Sequence, residues 1–339
     1  MSIHKTYQMV VIIVLYALFP PITQGEELKV ASFNVRAFGQ AKMNDRETVS
    51  HLVEIVKRYD LILIQEIKDR NGTAIYNFLK RLNSKTRHQF SMLLSPRLGR
   101  TSQKENYAYL YRKNRITALE SFTWPDKNDL FEREPFIARF RWLEYEFAAI
   151  GLHAKPTDAN NEIKALRQVQ QSVHKTWDSD GVVILGDLNA DCKYYNPERE
   201  GFEFFVAPMA TIIEDSIDTT TSHTDCTYDR ILIGGPLYGL VSTAGTYRYD
   251  RAFGLNYSQT LRVSDHYPVE FTFNSDLDLK EPSYSDLPPP LPEDNATRSY
   301  PREPAPPVCG IKPYITPGGY CYAIRYGSKT RVKQNCCNL

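Results

Sequence analysis

The sequence is short of two things: net charge, and long apolar runs beyond its first twenty residues. Its 41 Lys and Arg are balanced by 40 Asp and Glu, so the formal net charge is only +1. A protein that held nucleic acid by its overall charge would be far more basic, so any contact with a polyanion must use a local patch. After residue 19 no run is long and apolar enough to cross a bilayer. What remains is an ordinary globular composition, 42% hydrophobic and 24% charged, with enough length for one large domain or two.

The N-terminus has the pattern of a signal peptide. His4 and Lys5 precede the apolar run Met9–Phe19, and the residues Thr23–Gly25 offer a cleavage position. The run is about half as long as the roughly 20 residues that a membrane-spanning helix needs, which disfavours a membrane anchor; a buried strand is the other alternative. We therefore predict a signal peptide over residues 1–25 and a secreted, extracellular protein.

Export permits disulfides and N-glycosylation. The six cysteines are an even number, as a fully paired set requires. Asn-X-Ser/Thr tripeptides at Asn71, Asn256 and Asn295 are candidate glycosylation sites.

Between Leu28 and Phe273 short apolar strands alternate with amphipathic helices. Helices are indicated where apolar residues recur three and four positions apart, and strands where apolar residues alternate with polar ones or form a short run. The predicted helices are Val49–Val56, Ile75–Leu82 and Ile163–Val173, and the predicted strands are Leu28–Val35, Leu61–Ile64, Asn106–Arg112, Phe136–Trp142, Glu146–Leu152 and Val182–Leu185. This order predicts an α/β fold, a four-layered α/β/β/α sandwich with two packed sheets inside and helices outside.

The composition changes after Phe273. Residues 281–307 carry nine prolines and almost no large aliphatic side chains, which predicts an extended linker over residues 276–307. Residues 308–339 form a basic segment that is too short to be stabilised by burial alone, so we predict a small module held by two disulfides in one of three pairings. Zinc binding is the rival interpretation, disfavoured by export and by the absence of His there. The cysteines of this module are Cys309, Cys321, Cys336 and Cys337.

Polar residues cluster where the apolar strands end. Each has a bland structural alternative, such as a turn, a helix cap or a satisfied core histidine. Together they indicate an active site, because ligands bind at strand ends in layered α/β folds. These residues are Asn34, Arg36, Glu66, His153, Asp187, Asn189, Asp229, Asp265 and His266.

Five segments resemble the pancreatic-type deoxyribonuclease I family, part of the wider exonuclease–endonuclease–phosphatase superfamily. In the family's order they are Ser32–Gly39, Leu63–Glu66, Gly186–Cys192, Cys226–Ile231 and Ser264–Val269. The resemblance implies a catalytic domain over residues 26–275 and a monomeric, secreted endonuclease. It also implies hydrolysis of double-stranded DNA with little sequence specificity, leaving 5′-phosphate ends. It does not cover the linker or the Cys-rich module, which we expect to bind a polyanion or a matrix.

Phosphodiester hydrolysis needs a cation, an activated water and an acid for the leaving oxygen, because the ester's own charge repels a nucleophile. The resemblance implies that Glu66 holds Mg²⁺ (or Mn²⁺) with help from Asn34 and Asp265. Carboxylate and amide oxygens are the ligands that such a hard cation prefers. It further implies that Asp187 and Asn189 orient the scissile phosphate and the water.

Two acid–base pairs are implied by the same resemblance: His153 with Glu105, and His266 with Asp229. A carboxylate partner raises the pKa of an imidazole and fixes its tautomer, so that one histidine can donate a proton while the other accepts one. Which histidine does which is left open.

The resemblance places Arg36, Lys68 and Arg133 on the DNA backbone, with Asn189 also touching phosphate. Backbone contacts carry little sequence information and weaken with salt. Gln103 stands where the family commonly has a Tyr that stacks in the minor groove, so groove contact should differ here.

Two structural Ca²⁺ sites and one core disulfide are also implied. The first site comprises Asp218, Thr220, Ser222 and Thr224, and the second comprises Asp129, the carbonyl of Phe131, and Glu134. The loop before the second site is shorter than in the family and lacks its Cys pair. The disulfide is Cys192–Cys226.

Two other functions are compatible with part of this pattern. A sphingomyelinase or inositol-phosphate phosphatase of the same superfamily would share many site residues, whereas Phe33–Gly39, Arg133–Pro135 and the core cysteine pair are nuclease-like. A non-catalytic binding protein is disfavoured by the complete set of site residues. Vertebrate members bind actin through an apolar strand edge; the matching Phe90–Leu94 has different side chains, so we do not expect inhibition by actin.

Overall fold

A computed structural model of the chain describes residues 25–87, 89–178, 181–196 and 209–282, together with three short strands within residues 314–331. The chain divides into two units, Met1–Pro292 and Glu293–Leu339. The predicted signal peptide, most of the predicted linker, Asn295, and the cysteines at 309, 336 and 337 lie outside the described residues. The domain boundaries after residues 25, 275 and 307 stay predictions.

Twelve strands of the first unit form two sheets. In chain order they are β1 (Glu27–Phe38), β2 (Leu61–Ile67), β3 (Phe90–Leu94), β4 (Asn106–Arg112), β5 (Thr117–Thr123), β6 (Phe136–Trp142), β7 (Tyr145–Gly151), β8 (Val182–Asp187), β9 (Met209–Thr211), β10 (Asp229–Gly234), β11 (Val241–Thr246) and β12 (Val269–Asn274). One sheet has the order β11-β12-β1-β2-β4-β3 and the other has the order β5-β6-β7-β8-β10-β9. Each sheet contains one parallel pair, β1 with β2 and β7 with β8, and its other pairs are antiparallel.

The longer helices of the first unit carry apolar stripes at helical spacing. The clearest stripe, on the longest helix, buries Ile163, Leu166, Val169 and Val173. In chain order the helices are α1 (Gln40–Asn44), α2 (Arg46–Val56), α3 (Thr73–Lys85), α4 (Ala159–Trp177), α5 (Tyr249–Phe253) and α6 (Tyr257–Val263), with 3-10 turns at Pro156–Asp158 and Pro236–Leu240. None of the described helices has the length and apolarity to span a bilayer.

Three apolar cores give the fold its layers. The central core packs the inner faces of both sheets together, with Leu63 and Tyr109 from one sheet beside Leu185 from the other. A second core lies between the outer face of the first sheet and helices α2 and α3. The third lies between the outer face of the second sheet and α4. The predicted α/β/β/α sandwich is therefore confirmed.

The second unit contains a three-stranded antiparallel sheet. Its strands are β13 (Tyr314–Ile315), β14 (Cys321–Arg325) and β15 (Ser328–Arg331), in the order β13-β14-β15.

Candidate active site

One edge of the sandwich collects the polar strand ends of both sheets. The parallel pairs β1–β2 and β7–β8 end at this edge. The strands antiparallel to them, β4, β10 and β12, begin there, and the register opposes Asp229, the first residue of β10, to Asp187, the last of β8. Chain direction alone therefore brings together residues that are far apart in the sequence.

The backbone at this edge is unusually strained. Four non-glycine residues, Arg36, Ala37, Glu66 and Asn189, have positive φ angles, a region that costs on the order of 1–3 kcal/mol per residue. The pairing of β1 with β2 is also irregular just beyond Asn34, as expected of a β-bulge. Three of these strained residues, Arg36, Glu66 and Asn189, belong to the predicted site.

The first half of the site is a buried histidine–carboxylate pair at this edge of both sheets. His153 follows β7, and its Nδ1 lies 2.8 Å from Glu105 Oε1. Burial lowers the pKa of His153, but the Glu105 carboxylate more than offsets this effect and the net pKa is raised. The Arg133 guanidinium contacts the other oxygen of Glu105 at 3.2 Å and donates to the His153 carbonyl.

The second half of the site has the same construction. His266 precedes β12, and its Nδ1 lies 2.7 Å from Asp229 Oδ2. Burial lowers the pKa of His266, but the charges of Asp229 and Asp187 outweigh burial and raise it to about 10. In both halves a carboxylate therefore fixes Nδ1 and leaves Nε2 to face the site.

The two halves converge on one oxygen atom. The Nε2 atoms of His153 and His266 each lie 3.5 Å from Asp187 Oδ2. Asn34 Nδ2 donates to the same oxygen at 3.0 Å, and Asn189 N–H donates to the other oxygen of Asp187 at 3.1 Å. The arrangement directs two imidazole Nε2 atoms and one side-chain amide at a single carboxylate oxygen.

A second carboxylate, Glu66, lies beside this centre. It accepts hydrogen bonds from Asn34 Nδ2 at 3.3 Å, and from Ala37 N–H and Lys68 Nζ at 2.8 Å each. Burial alone would raise the pKa of Glu66, but the charges of His153 and Lys68 outweigh burial and lower it to about 2. Glu66 is therefore ionised at neutral pH, as a ligand for a divalent cation must be.

Comparison with known proteins agrees with this geometry. Residues 31–266 match the model of the Endonuclease/Exonuclease/phosphatase family. The chain is 39% identical to Deoxyribonuclease-1 of Homo sapiens over 269 residues, which cover 76% of this chain and 95% of that protein. It is 37% identical to Deoxyribonuclease-1 of Bos taurus over 272 residues, 76% of this chain and 96% of that protein. The chain belongs to this family, in its deoxyribonuclease-1 group.

A solved structure gives the same fold at lower identity. A structure of D. rerio TDP2 complexed with a single-strand DNA product aligns with a TM-score of 0.53 at 17% identity, covering 74% of this chain and 100% of that chain. At that identity the likeness shows the fold alone, and it agrees with the two-sheet sandwich.

The acidic groups at this site fit a divalent cation, and the residues that could hold it are not only those of the predicted ligand set. Ligand atoms of Asp187, Asp229 and His266 lie within 4.8 Å of one another. Asp229 Oδ1 is fully buried and accepts no hydrogen bond from any described residue. In the predicted set, Asn34 directs its NH₂ at the carboxylates while its Oδ1 accepts from Arg36 N–H, and Asp265 lies 3.4 Å from Arg36 Nε. Ligation by Glu66, Asn34 and Asp265 stays a prediction.

The residues predicted to touch DNA fall into exposed and buried groups. Arg36 and Lys68 border the site with side chains 51% and 32% exposed, and Gln103 lies on an exposed loop. Arg133 is only 13% exposed, because it is packed against Glu105, and the amide of Asn189 donates to the Ala154 carbonyl. The geometry gives Arg133 and Asn189 structural roles within the site besides any contact with phosphate.

The first predicted calcium loop is rich in oxygen and adjoins the active site. Asp218 Oδ1 accepts from the Thr220 N–H, and the single proton of the Thr220 hydroxyl has two acceptors within reach, Asp218 Oδ1 at 2.9 Å and the Thr224 carbonyl oxygen at 2.7 Å. Ser222 and Thr224 hydroxyls lie 2.5 Å apart. Thr220 also forms a β-bridge with His266, so a cation here would brace the second half of the site.

The second predicted calcium loop already has a positive charge of its own. Arg100 Nε lies 2.7 Å from Asp129 Oδ1. Phe131 is buried, and its N–H donates to Asp126, while Glu134 is half-buried. A Ca²⁺ ion there would compete with the Arg100 guanidinium.

The predicted disulfide Cys192–Cys226 is present, with a sequence separation of 34 residues. Two predicted glycosylation acceptors, Asn71 and Asn256, are exposed. Sequence reasoning did not single out three charged residues near the site: the half-buried Lys42 and the buried Glu162 and Arg230. Glu162 had a usable signal, because it falls on the apolar stripe of α4 between Ala159 and Ile163.

Proposed function

We propose that the chain is a secreted endonuclease that hydrolyses the phosphodiester bonds of double-stranded DNA with little sequence specificity, leaving 5′-phosphate ends, and that Mg²⁺ (or Mn²⁺) and Ca²⁺ support the reaction. The observation that carries the proposal is the convergence of two histidine–carboxylate pairs on Asp187 Oδ2. Membership of the deoxyribonuclease-1 group supports DNA as the substrate.

The paired histidines supply proton transfer on both sides of a phosphate. Each Nδ1 is engaged by a buried carboxylate, so each Nε2 can exchange a proton with an oxygen at the centre. One imidazole takes the proton from the attacking water, and the other gives a proton to the departing 3′ oxygen. Because both pairs are built alike, the geometry does not assign these two roles.

Glu66 and the neighbouring acids would hold the divalent cation. When bound, the cation neutralises charge that develops on the phosphate oxygens and the leaving oxygen. Asn34 and Asn189 orient Asp187, since their N–H groups engage its two oxygens. The Asn34 donor is a side-chain NH₂ and the Asn189 donor is a main-chain N–H, so Asn34→Ala should misplace the carboxylate without unfolding the sheet edge.

Exposed basic residues at the rim support binding to the DNA backbone. Arg36 and Lys68 lie next to the carboxylates of Asp265 and Glu66, so their charges flank the position of the scissile phosphate. Contacts of this kind hold any sequence about equally and weaken as salt rises. Export rests on the N-terminal pattern of the sequence, and actin binding is not part of the proposal.

A plasmid-nicking assay tests the proposal. Purified protein with Mg²⁺ and Ca²⁺ should convert supercoiled plasmid to open circles, and a chelator should abolish the conversion. The new ends should accept ligation without added kinase, as 5′-phosphate ends do. His153→Ala and His266→Ala should each lose on the order of 10²–10⁴-fold in rate.

A matched histidine provides the control. His51→Ala, on α2 and stacked against Phe253, should keep full activity. Nicking that resists chelation, or full activity in His153→Ala, would refute the mechanism. Sphingomyelin and inositol phosphates serve as alternative substrates, and faster hydrolysis of either would move the activity to another branch of the family.

A further inference from the structure

Glu162 is a buried carboxylate whose presence the apolar core does not explain. It lies in the first turn of α4 with no exposed surface, among apolar neighbours. Burial raises the pKa of Glu162 from 4.5 to about 7, which means that the ionised form is destabilised where it lies. An apolar side chain at this position of the stripe would suit the core better.

The carboxylate is used by two separate loops. Its Oε1 accepts from the Glu132 N–H at 2.9 Å, and its Oε2 accepts from the Lys155 N–H at 3.3 Å. Glu162 does not cap its own helix. Neither of its two hydrogen bonds goes to the N-cap residue Asp158, whose own side chain forms no cap either. Glu162 therefore joins the loop before β6 to the loop after β7.

Those two loops carry the parts of one catalytic half. Arg133 directly follows one bonded residue, and His153 lies two residues before the other. Arg133 in turn contacts Glu105 at 3.2 Å and the His153 carbonyl at 3.1 Å, and Glu105 holds the imidazole at 2.8 Å. The chain of contacts runs without a gap from Glu162 to the ring nitrogen.

The charges around Glu162 come from every segment packed against it. Arg133 and Asp158 act on its carboxylate most directly, and Glu132 lies at the end of one bonded loop. The other titratable groups are the cations Lys155 and Arg100 and the neutral phenol of Tyr107. The Arg133 guanidinium lowers the pKa of Glu162 by its charge, so Glu162 attracts it electrostatically as well as holding its loop through the backbone.

We propose that Glu162 is a positioning residue for the proposed nuclease reaction: by binding the two loops that flank β6 and β7, it holds Arg133, Glu105 and His153 in register. The inference rests on the proposed function of His153. The other catalytic half, His266 with Asp229, has no such link to Glu162 among the described residues.

The test is a pair of double-mutant cycles on plasmid nicking by the full chain. Glu162→Gln keeps the shape of the side chain but places an NH₂ donor, instead of an acceptor oxygen, opposite one of the two backbone N–H groups. It should lower kcat about tenfold and change KM less than twofold. Because Glu162 acts through Glu105, adding Glu162→Gln to Glu105→Gln should cost less than twofold more. Adding it to Asp229→Asn should again cost about tenfold.

Val173→Ala, a buried substitution at the other end of α4, is the control for simple destabilisation. It should lower the melting temperature while leaving kcat within twofold. Equal tenfold losses in both cycles would overturn the positioning role. So would a loss of kcat in Val173→Ala in proportion to the fall in its melting temperature.

A readout without activity separates this inference from the proposed function. The hydrogen-bonded Nδ1–H of His153, assigned by its absence in His153→Ala, should give a proton NMR signal that broadens or shifts in Glu162→Gln. The corresponding signal of His266 should stay unchanged. If the wild-type chain did not nick DNA, the proposed function would fail, while this measurement would still decide the role of Glu162. A His153 signal that is unchanged in Glu162→Gln would overturn the positioning role.

Discussion

Removing the disulfide Cys192–Cys226 should weaken the fold without disabling the site. The bond closes a loop with a sequence separation of 34 residues, and loop-closure entropy gives such a cross-link about 4 kcal/mol of stability at 25 °C. Activity should survive, because other bonds join the same two segments. Asp191 Oδ2 accepts from the Thr227 N–H at 2.7 Å, and the Leu188 N–H donates to the Tyr228 carbonyl at 3.0 Å.

The assay compares urea unfolding of the wild type with that of Cys192→Ala/Cys226→Ala. We expect the free energy of unfolding to fall by about 4 kcal/mol, and kcat at 25 °C to stay within about twofold. Dithiothreitol should lower the stability of the wild type toward that of the variant, and it should leave the stability of the variant's first unit unchanged. A loss of stability below about 1 kcal/mol would refute the entropic argument, and a folded but inactive variant would refute the claim that the hydrogen bonds suffice.

Three further predictions concern single residues. Gly186→Ala should lose about 3 kcal/mol or more of stability, because φ is +147° and a Cβ would lie 2.0 Å from the Leu152 carbonyl oxygen; Gly245→Ala, which meets nothing within 4 Å, is the control, and equal urea midpoints would contradict the argument. The native state keeps the Glu162 proton up to a pKa of about 7, whereas the unfolded chain releases it near 4.5, so the free energy of unfolding should fall by about 3 kcal/mol as pH rises through this window. Urea unfolding from pH 4.5 to 8 should show this decrease in the wild type and not in Glu162→Gln. The same decrease in both proteins would count against the raised pKa of Glu162. Ca²⁺ should raise the melting temperature of the wild type more than that of Asp218→Ala, and an equal rise would exclude a site in that loop.

The central strands and long helices could be predicted because their apolar patterns are unambiguous. Leu61–Ile64 and Val182–Leu185 are buried on both faces, and Ile163–Val173 forms a regular stripe. The edge strand β5, Thr117–Thr123, escaped prediction because most of its residues are partly or fully exposed, so it has no apolar face to detect. Burial alone does not ensure prediction, since β10, Asp229–Gly234, is buried throughout and was not among the predicted strands either.

For the site, the sequence could predict which residues gather but not how they are oriented. His153, Asp187 and His266 come together because strand direction places their ends at one edge. No pattern in the sequence indicates that Asn34 turns its NH₂ toward Asp187, or that Arg133 is packed under His153 instead of lying open to DNA. Those details depend on contacts between segments more than a hundred residues apart, or on loops whose conformation only packing decides.

The main-chain N–H of Asp187, in one sheet, donates at 2.9 Å to the side chain of Gln65, in the other. Neither sheet by itself contains all of the predicted site residues, so the thickness of the central core sets the spacing between them. A substitution that wedges the two layers apart would slow turnover without touching substrate. Heat inactivation should accordingly begin when the layers separate, before either sheet loses its own hydrogen bonds.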